Sequence, residues 1–273
     1  MNLLKIIEEV EKVDPELPER LNPRRAAIKN ITGFGSKIAI ASLPLVFTTL
    51  FKKAYGATLP NAVADVLNFA LKLEYLEAYL YNQALATPGL VVDNQYIAFI
   101  ANDENRHVSF LQAALGSAAI ESPRFDLTAK GAFPNVLKNY DSFLAVANGL
   151  EDTGVRAYKG QLNSVILSDS TLTILTIHAV EARHAAAIRE LRKSRGVNID
   201  PWITGTATTA NDTGVAAFNA NYAGENNVTQ LGIDLTTLPS VYGSTTPYHV
   251  AAEAFDEPLD TAAILNLLNP FFA

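Results

Sequence analysis

"IHAVEARHAAAIREL", residues 177–191, decides the fold of this chain. At 100° per residue Ile177, Glu181, His184 and Ile188 share one helix face. The face is apolar except where a carboxylate and an imidazole interrupt it, so a chain with four histidines spends one beside a glutamate on a stripe meant for burial. An amphipathic helix explains the isoleucines but leaves the polar pair without a reason.

The reason lies in an internal repeat. One constant shift along the chain carries Glu74 onto Glu151, Glu104 onto Glu181 and His107 onto His184. Within each half the two glutamates, Glu74 with Glu104 and Glu151 with Glu181, keep the same spacing about a short loop, so they sit at equal depth on facing helices. The flanks repeat as well. Leu67, Ala70, Ala78, Tyr81 and Leu85 match Leu144, Ala147, Val155, Tyr158 and Leu162, while Ile97, Ile100 and Leu111 match Ile174, Ile177 and Ile188. These rows predict four inward stripes.

Four helices are predicted, over about 61–86, 93–117, 135–165 and 170–196, with Asp93 and Ser170 as N-caps and a basic last turn before Gly196. Short loops make the first pair and the last pair antiparallel neighbours. The connection between the pairs, "AAIESPRFDLTAKGAFP", is long enough to run the length of such a helix, roughly 36 Å. The fold class is therefore all-α: a four-helix bundle of two antiparallel hairpins joined by a long crossover.

Four carboxylates facing one another in such a bundle would cost several kcal/mol each if unpaired, and too few inward cations are available to neutralise them. Two divalent metal ions would cancel the charge. A glutamate followed three residues later by a histidine offers an oxygen and a nitrogen on one face, and the lone glutamates of the other two helices would complete or bridge the pair.

Residues 60–195 resemble the ferritin-like superfamily of di-iron carboxylate proteins. "DENRH" at 103–107 is similar to the Asp-Glu-x-Arg-His motif of di-iron oxidases, and "EARH" at 181–184 repeats its core with Val180 in place of the aspartate. "LNFALKLEYLEAYLY" at 67–81, "EDTGVRAYKG" at 151–160 and "AFDEPL" at 254–259 look like the bacterial ferritin-like family that includes desiccation-related proteins. The resemblance implies that Glu74, Glu104, His107, Glu151, Glu181 and His184 bind two divalent metal ions. Iron or manganese suits this oxygen and imidazole set better than copper. It implies redox chemistry, Fe(II) oxidation or reduction of O₂ or peroxide. A non-catalytic, metal-stabilised stress or envelope protein is the alternative. Tyr81 and Tyr158 would hydrogen-bond near the metals or donate electrons, or else serve as ordinary core tyrosines.

Other residues near the stripes carry paired readings. Asp103, Arg106 and Arg183 are candidates to orient the ligands or to form plain salt bridges. Glu77, one turn after Glu74, is a rival ligand or an extra carboxylate. Its repeat mate Gly154 either leaves space at the site or marks a close helix contact. His178 and His249, without repeat partners, read as structural or surface residues.

The flanks divide the chain into an N-terminal extension over 1–56, the bundle over 57–197 and a loop-rich C-terminal extension over 198–273 with a short final helix near 260–268. Arg24, Arg25, Ile28 and Lys29 precede the apolar run Ile38–Phe51 and then Ala54-Tyr55-Gly56. That order is similar to a twin-arginine export leader and predicts a periplasmic or exported protein. A retained helix of a cytoplasmic protein, docked on the bundle or on another copy in a homo-oligomer, is the other reading. The run from Ile38 to Phe51 falls short of the roughly 20 apolar residues that a stable membrane span requires. A net charge of −7 without a basic cluster argues against nucleic acid, and the absence of cysteine excludes disulfides, thiolate metal sites and thiol nucleophiles.

Overall fold

Four long helices come from the four periodic segments. They are α1 (Asn61–Ala86), α2 (Gln95–Leu115), α3 (Tyr140–Val165) and α4 (Asp169–Ser194). The computed structural model describes residues 61–91, 95–165, 169–241 and 243–273, apart from the side chains of 163–165 and 169–172. The expected leader or retained helix and the Asp93 cap lie outside the described residues. Among those described, no helix is long and apolar enough to cross a membrane.

The order of the helices follows from which side chains meet. Tyr81 of α1 reaches Glu151 of α3 and Tyr158 of α3 reaches Glu74 of α1, so α1 and α3 run antiparallel. His107 of α2 lies near Glu181 of α4, and His184 of α4 near Glu104 of α2, so that pair is antiparallel too. With α1–α2 and α3–α4 as hairpins, α2 and α3 must run in the same direction. The crossover over 116–139 supplies that return.

The stripes are buried as expected over most of their length: Leu67, Ala70, Leu144, Ala147, Ile97, Ile100, Ile174, Ile177 and Ile188 are all 5% exposed or less. Leu85 departs from the expectation. It is 43% exposed, one residue before α1 ends, while its neighbour Ala84 stays fully buried. The glutamates separate the core into two apolar layers. Val63, Leu67, Leu71, Leu111, Leu115 and Ile174 make one, and Tyr81, Ala84, Ile97, Phe143, Leu144 and Ile188 belong to the other.

Helix ends differ from the sequence reading where local chemistry is stronger than periodicity. Asn139 accepts from the amide of Ser142, so it caps α3, which starts at Tyr140 and not at 135. Helix α4 begins at Asp169, which places Ser170 inside the helix and not at its cap. Its other end closes with the amide of Val197 on the Arg192 carbonyl and Gly196 at φ +92°.

The C-terminal extension holds a 3₁₀ turn Ala216–Tyr222, a two-stranded hairpin (β1 Thr229–Gln230, β2 Ile233–Asp234), α5 (Tyr248–Glu253) and α6 (Thr261–Leu268). The final helix, capped by Asp260, was expected; α5 was not. Irregular as this segment is, it packs hard on the outer faces of α3 and α4. Arg156, fully buried on α3, donates to the carbonyls of Glu257, Asn221 and Ala223 and pairs with Glu225. Gly160 lets the Leu259 carbonyl lie against the helix where a side chain would collide with it.

Candidate metal centre

Six side chains from four helices converge between the two apolar layers. Glu74, Glu104, Glu151 and Glu181 are fully buried, and the side chains of His184 and His107 are 7% and 13% exposed. Helix geometry alone aims each Glu-x-x-His pair inward, and the equal spacing within the two halves brings the lone glutamates level with them.

The donors fall into two groups. Glu74, Glu104, His107 and Glu181 each bring one ligand atom to within 4.8 Å of the others, and so do Glu104, Glu151, Glu181 and His184. The repeat, which exchanges the two hairpins, maps one group onto the other. Glu104 and Glu181 belong to both. The sharing residues are thus those of the two Glu-x-x-His pairs, whereas Glu74 and Glu151, the lone glutamates considered as bridges, each serve one group.

Both imidazoles turn Nδ1 toward the carboxylates. His107 Nδ1 lies 3.0 Å from Glu74, 3.2 Å from Glu104 and 3.5 Å from Glu181. His184 Nδ1 lies 2.6 Å from Glu104 Oε1 and 3.5 Å from Glu151 Oε2. The 2.6 Å contact is an ion pair, and neither atom has a hydrogen-bond partner, nor have Glu151 Oε2 and both Glu181 oxygens. Buried polar atoms are normally satisfied, and leaving several unpaired at one point costs on the order of 1–3 kcal/mol each. The residues present therefore fit a metal pair: convergent, unsatisfied oxygen and nitrogen donors with few competing hydrogen bonds.

Without metal the cluster must hold protons. Burial disfavours a charged His107, but Glu74 and Glu104 outweigh it and push its pKa up to about 11. Burial is likewise overcome at His184 by Glu151 and Glu104, to about 10. Burial and the charge of Glu74 push Glu104 up to about 7, and burial with the neighbouring carboxylates raises Glu181 well above its ordinary value. Glu74 moves down: burial works against it, but the His107 charge and hydrogen bond prevail. Where a pKa is raised, the folded chain keeps a proton that the unfolded chain has released. Stability then falls as pH rises, from about 4.5 through 7 for Glu104 and from about 6.5 through 10–11 for the histidines. The melting temperature of metal-free protein is expected to drop steadily between pH 5 and pH 9, and that of metal-loaded protein to stay nearly level. Two parallel curves in scanning calorimetry would refute this account.

Tyr81 donates to Glu151 Oε1 at 2.5 Å, and Tyr158 donates to Glu74 Oε1. Each tyrosine fixes one oxygen of the lone glutamate on the opposite helix and leaves the other free to face the cluster. Burial first, then the carboxylate charge, raises both phenols well above their ordinary range, so they stay protonated donors. Asp103 approaches His184 Nε2 at 3.5 Å, a contact that favours the proton on that nitrogen and leaves Nδ1 for the cluster. Arg106 is exposed and pairs with Asp103 at 3.6 Å, and Arg183 is exposed to solvent. His178 Nδ1 donates to the Val155 carbonyl and His249 is exposed, both away from the cluster.

Glu77, which the sequence left undecided, lies beside the cluster and belongs to neither donor group. It is 3% exposed, and the charges of Glu151, Glu104 and Glu74, after burial itself, raise its carboxyl well above the usual range. Its position one turn after Glu74 was the available signal, offset by the glycine at its repeat mate. A Cβ at Gly154 would stand 2.7 Å from Glu181 Oε2 and 3.2 Å from Glu77 Oε1. What excludes a side chain there is carboxylate oxygen, not helix backbone. Beside Glu77, a cavity of about 10 Å³ lined by Leu73, Leu76, Leu150, Thr153, Gly154 and Leu268 has room for about one water-sized molecule.

Residues 62–194 match the family model of the ferritin-like domain. No curated protein matches the chain.

Proposed function

We infer that residues 62–194, which match the ferritin-like domain, make this chain a ferritin-like protein whose helices close around a buried cluster of glutamates and histidines. We propose that it holds two divalent metal ions, iron above manganese, and uses them for redox chemistry with a small oxidant. One observation carries this reading: two donor groups related by the internal repeat, sharing Glu104 and Glu181 and leaving several of their atoms otherwise unsatisfied. Iron held by these residues would supply a one-electron couple at each position, two electrons in all, the number that reduction of O₂ to H₂O₂ requires together with two protons.

The residues of the chain do the rest. Glu74, Glu104, His107, Glu151, Glu181 and His184 bind, and Tyr81 and Tyr158 orient the two lone glutamates through their second oxygens. The apolar layers above and below exclude bulk water, which strengthens every charge interaction inside. The small cavity against Glu77 suits a diatomic or a water-sized molecule and is far below the few hundred cubic ångströms that an organic substrate occupies. That size favours Fe(II) oxidation or peroxide reduction over oxygenation of an organic compound.

Protein purified without added metal is expected to carry iron or manganese by elemental analysis and to oxidise Fe(II) in air at least about tenfold faster than Glu104→Ala, a fall of roughly 1.4 kcal/mol or more in transition-state stabilisation. Metal binding with no rate above that variant would make the centre structural and sink the redox reading.

A further inference from the structure

Helix α2 carries two stripes where a bundle helix needs one. The inward stripe runs through Ile97, Ile100, Glu104 and Leu111, all buried. A second runs through Tyr96, Phe99, Asp103, Arg106, Phe110 and Ala113, in alternating steps of three and four residues. That narrow spacing belongs to the seam between two paired helices, not to the broader face that a helix turns to a globular core. Tyr96 and Phe99 are 60% and 62% exposed, and the side chains of Asp103 and Arg106 are 41% and 56% exposed. Phe110 and Ala113 are partly buried. Two mostly exposed aromatic rings one turn apart make an apolar patch on the outside of the helix.

The order of residues along this stripe identifies what covers it. Phe99 and Phe110 are equidistant from the midpoint between Glu104 and Asn105, and so are Asp103 and Arg106. A second copy of α2 laid antiparallel about a twofold axis at that midpoint would set Phe99 against the partner's Phe110, Tyr96 against the partner's Ala113 and Asp103 against the partner's Arg106, each pair occurring twice. The acid thus meets the base. With the 3.6 Å contact inside each helix, the two ion pairs across the axis close a ring of four alternating charges. A parallel pairing would set acid on acid and base on base, and a lipid surface would leave both charges unmatched. The net charge of −7 opposes the approach of two copies in general, whereas this stripe is neutral.

We propose that α2 is the contact between two copies of this chain, packed antiparallel about a twofold axis between Glu104 and Asn105. Asp103 and the partner's Arg106 fix its register, the role that a polar residue takes in an otherwise apolar seam while costing some stability. The contact adjoins the buried cluster. Asp103 stands 3.5 Å from His184 Nε2, so the partner's Arg106 shares that carboxylate with the imidazole.

The test is sedimentation equilibrium of the full chain. A single helix pair lies at the small end of stable interfaces, so twice the monomer mass is expected at about 100 µM. Phe99→Glu should weaken the dimer at least about 100-fold, since each dimer loses two aromatic contacts, while its circular dichroism and melting temperature stay those of the folded chain. Arg106→Asp alone gathers four acids around the axis and Asp103→Arg alone four bases, and each should give monomers. The double variant Asp103→Arg/Arg106→Asp restores the ring with its signs reversed and should dimerise again. A mixture of the two single variants should form the mixed pair in preference to either self-pair. A wild-type chain that is monomeric at that concentration would overturn the proposal. So would a dimer that Phe99→Glu leaves intact, or a double variant that associates no better than the single ones.

Discussion

Glu181→Ala is expected to empty both metal positions at once. Glu181 contributes to both donor groups, so its loss removes a ligand from each ion and affinity should fall by at least about 100-fold at both, more than the 10–100-fold typical of losing an outer-shell partner. Glu74→Ala should behave differently, since Glu74 belongs to one group only, and should cost one equivalent. Equilibrium dialysis followed by elemental analysis distinguishes two lost equivalents from one. The metal-free Glu181→Ala protein should melt no lower than metal-free wild type, because the change removes a buried carboxyl that is already crowded by Glu104, Glu77 and Glu74. If Glu181→Ala still binds one equivalent tightly, the two groups do not share it.

The second large effect lies outside the metal centre. Arg189 is buried on α4 and satisfies Asp152 through Nε and a terminal nitrogen, at 3.1 and 2.7 Å, and Asp212 at 2.8 and 2.9 Å. It also reaches the Trp202 carbonyl at 3.0 Å. Asp152 is 3% exposed and would keep only Asn148 and Tyr222 as donors. Breaking a buried pair by removing one partner strands the other charge, at about 3–5 kcal/mol. Arg189→Met should therefore lower the melting temperature of metal-free protein by roughly 6–20 °C. It should also open residues 198–230 to limited proteolysis, since Asp212 and the carbonyls of Asp200 and Trp202 anchor that segment to α4. A loss under about 1 kcal/mol would mean that the network is solvated and carries little of the fold.

The two expected results differ in how far the sequence foretold them. Glu181 was legible because a helix face is a local property: the helical period and the repeat of one hairpin by the other fix which side chains share a stripe before any packing is known. Arg189 falls in the quoted stretch, yet nothing around it announced burial. Its partners Asp152 and Asp212 lie far along the chain, and Asp212 sits in a Thr- and Asn-rich run that composition describes as loop. Arg106 and Arg183 show the reverse case, and Arg106 takes the salt bridge that was one of its two readings. They adjoin the motif in sequence but occupy the solvent face, because one residue along a helix is a turn of about 100°.

The sequence by itself determined four helices, their pairing into two hairpins, the crossover and the level at which two Glu-x-x-His pairs meet two lone glutamates, since each follows from period, spacing and loop length. Only the tertiary structure decided that Glu104 and Glu181 serve both groups, that Tyr81 and Tyr158 reach across to the opposite lone glutamates, and that Glu77 and Gly154 share one gap. Those are distances between helices whose closest residues lie far apart along the chain, and they are set by how side chains interlock once the faces are buried.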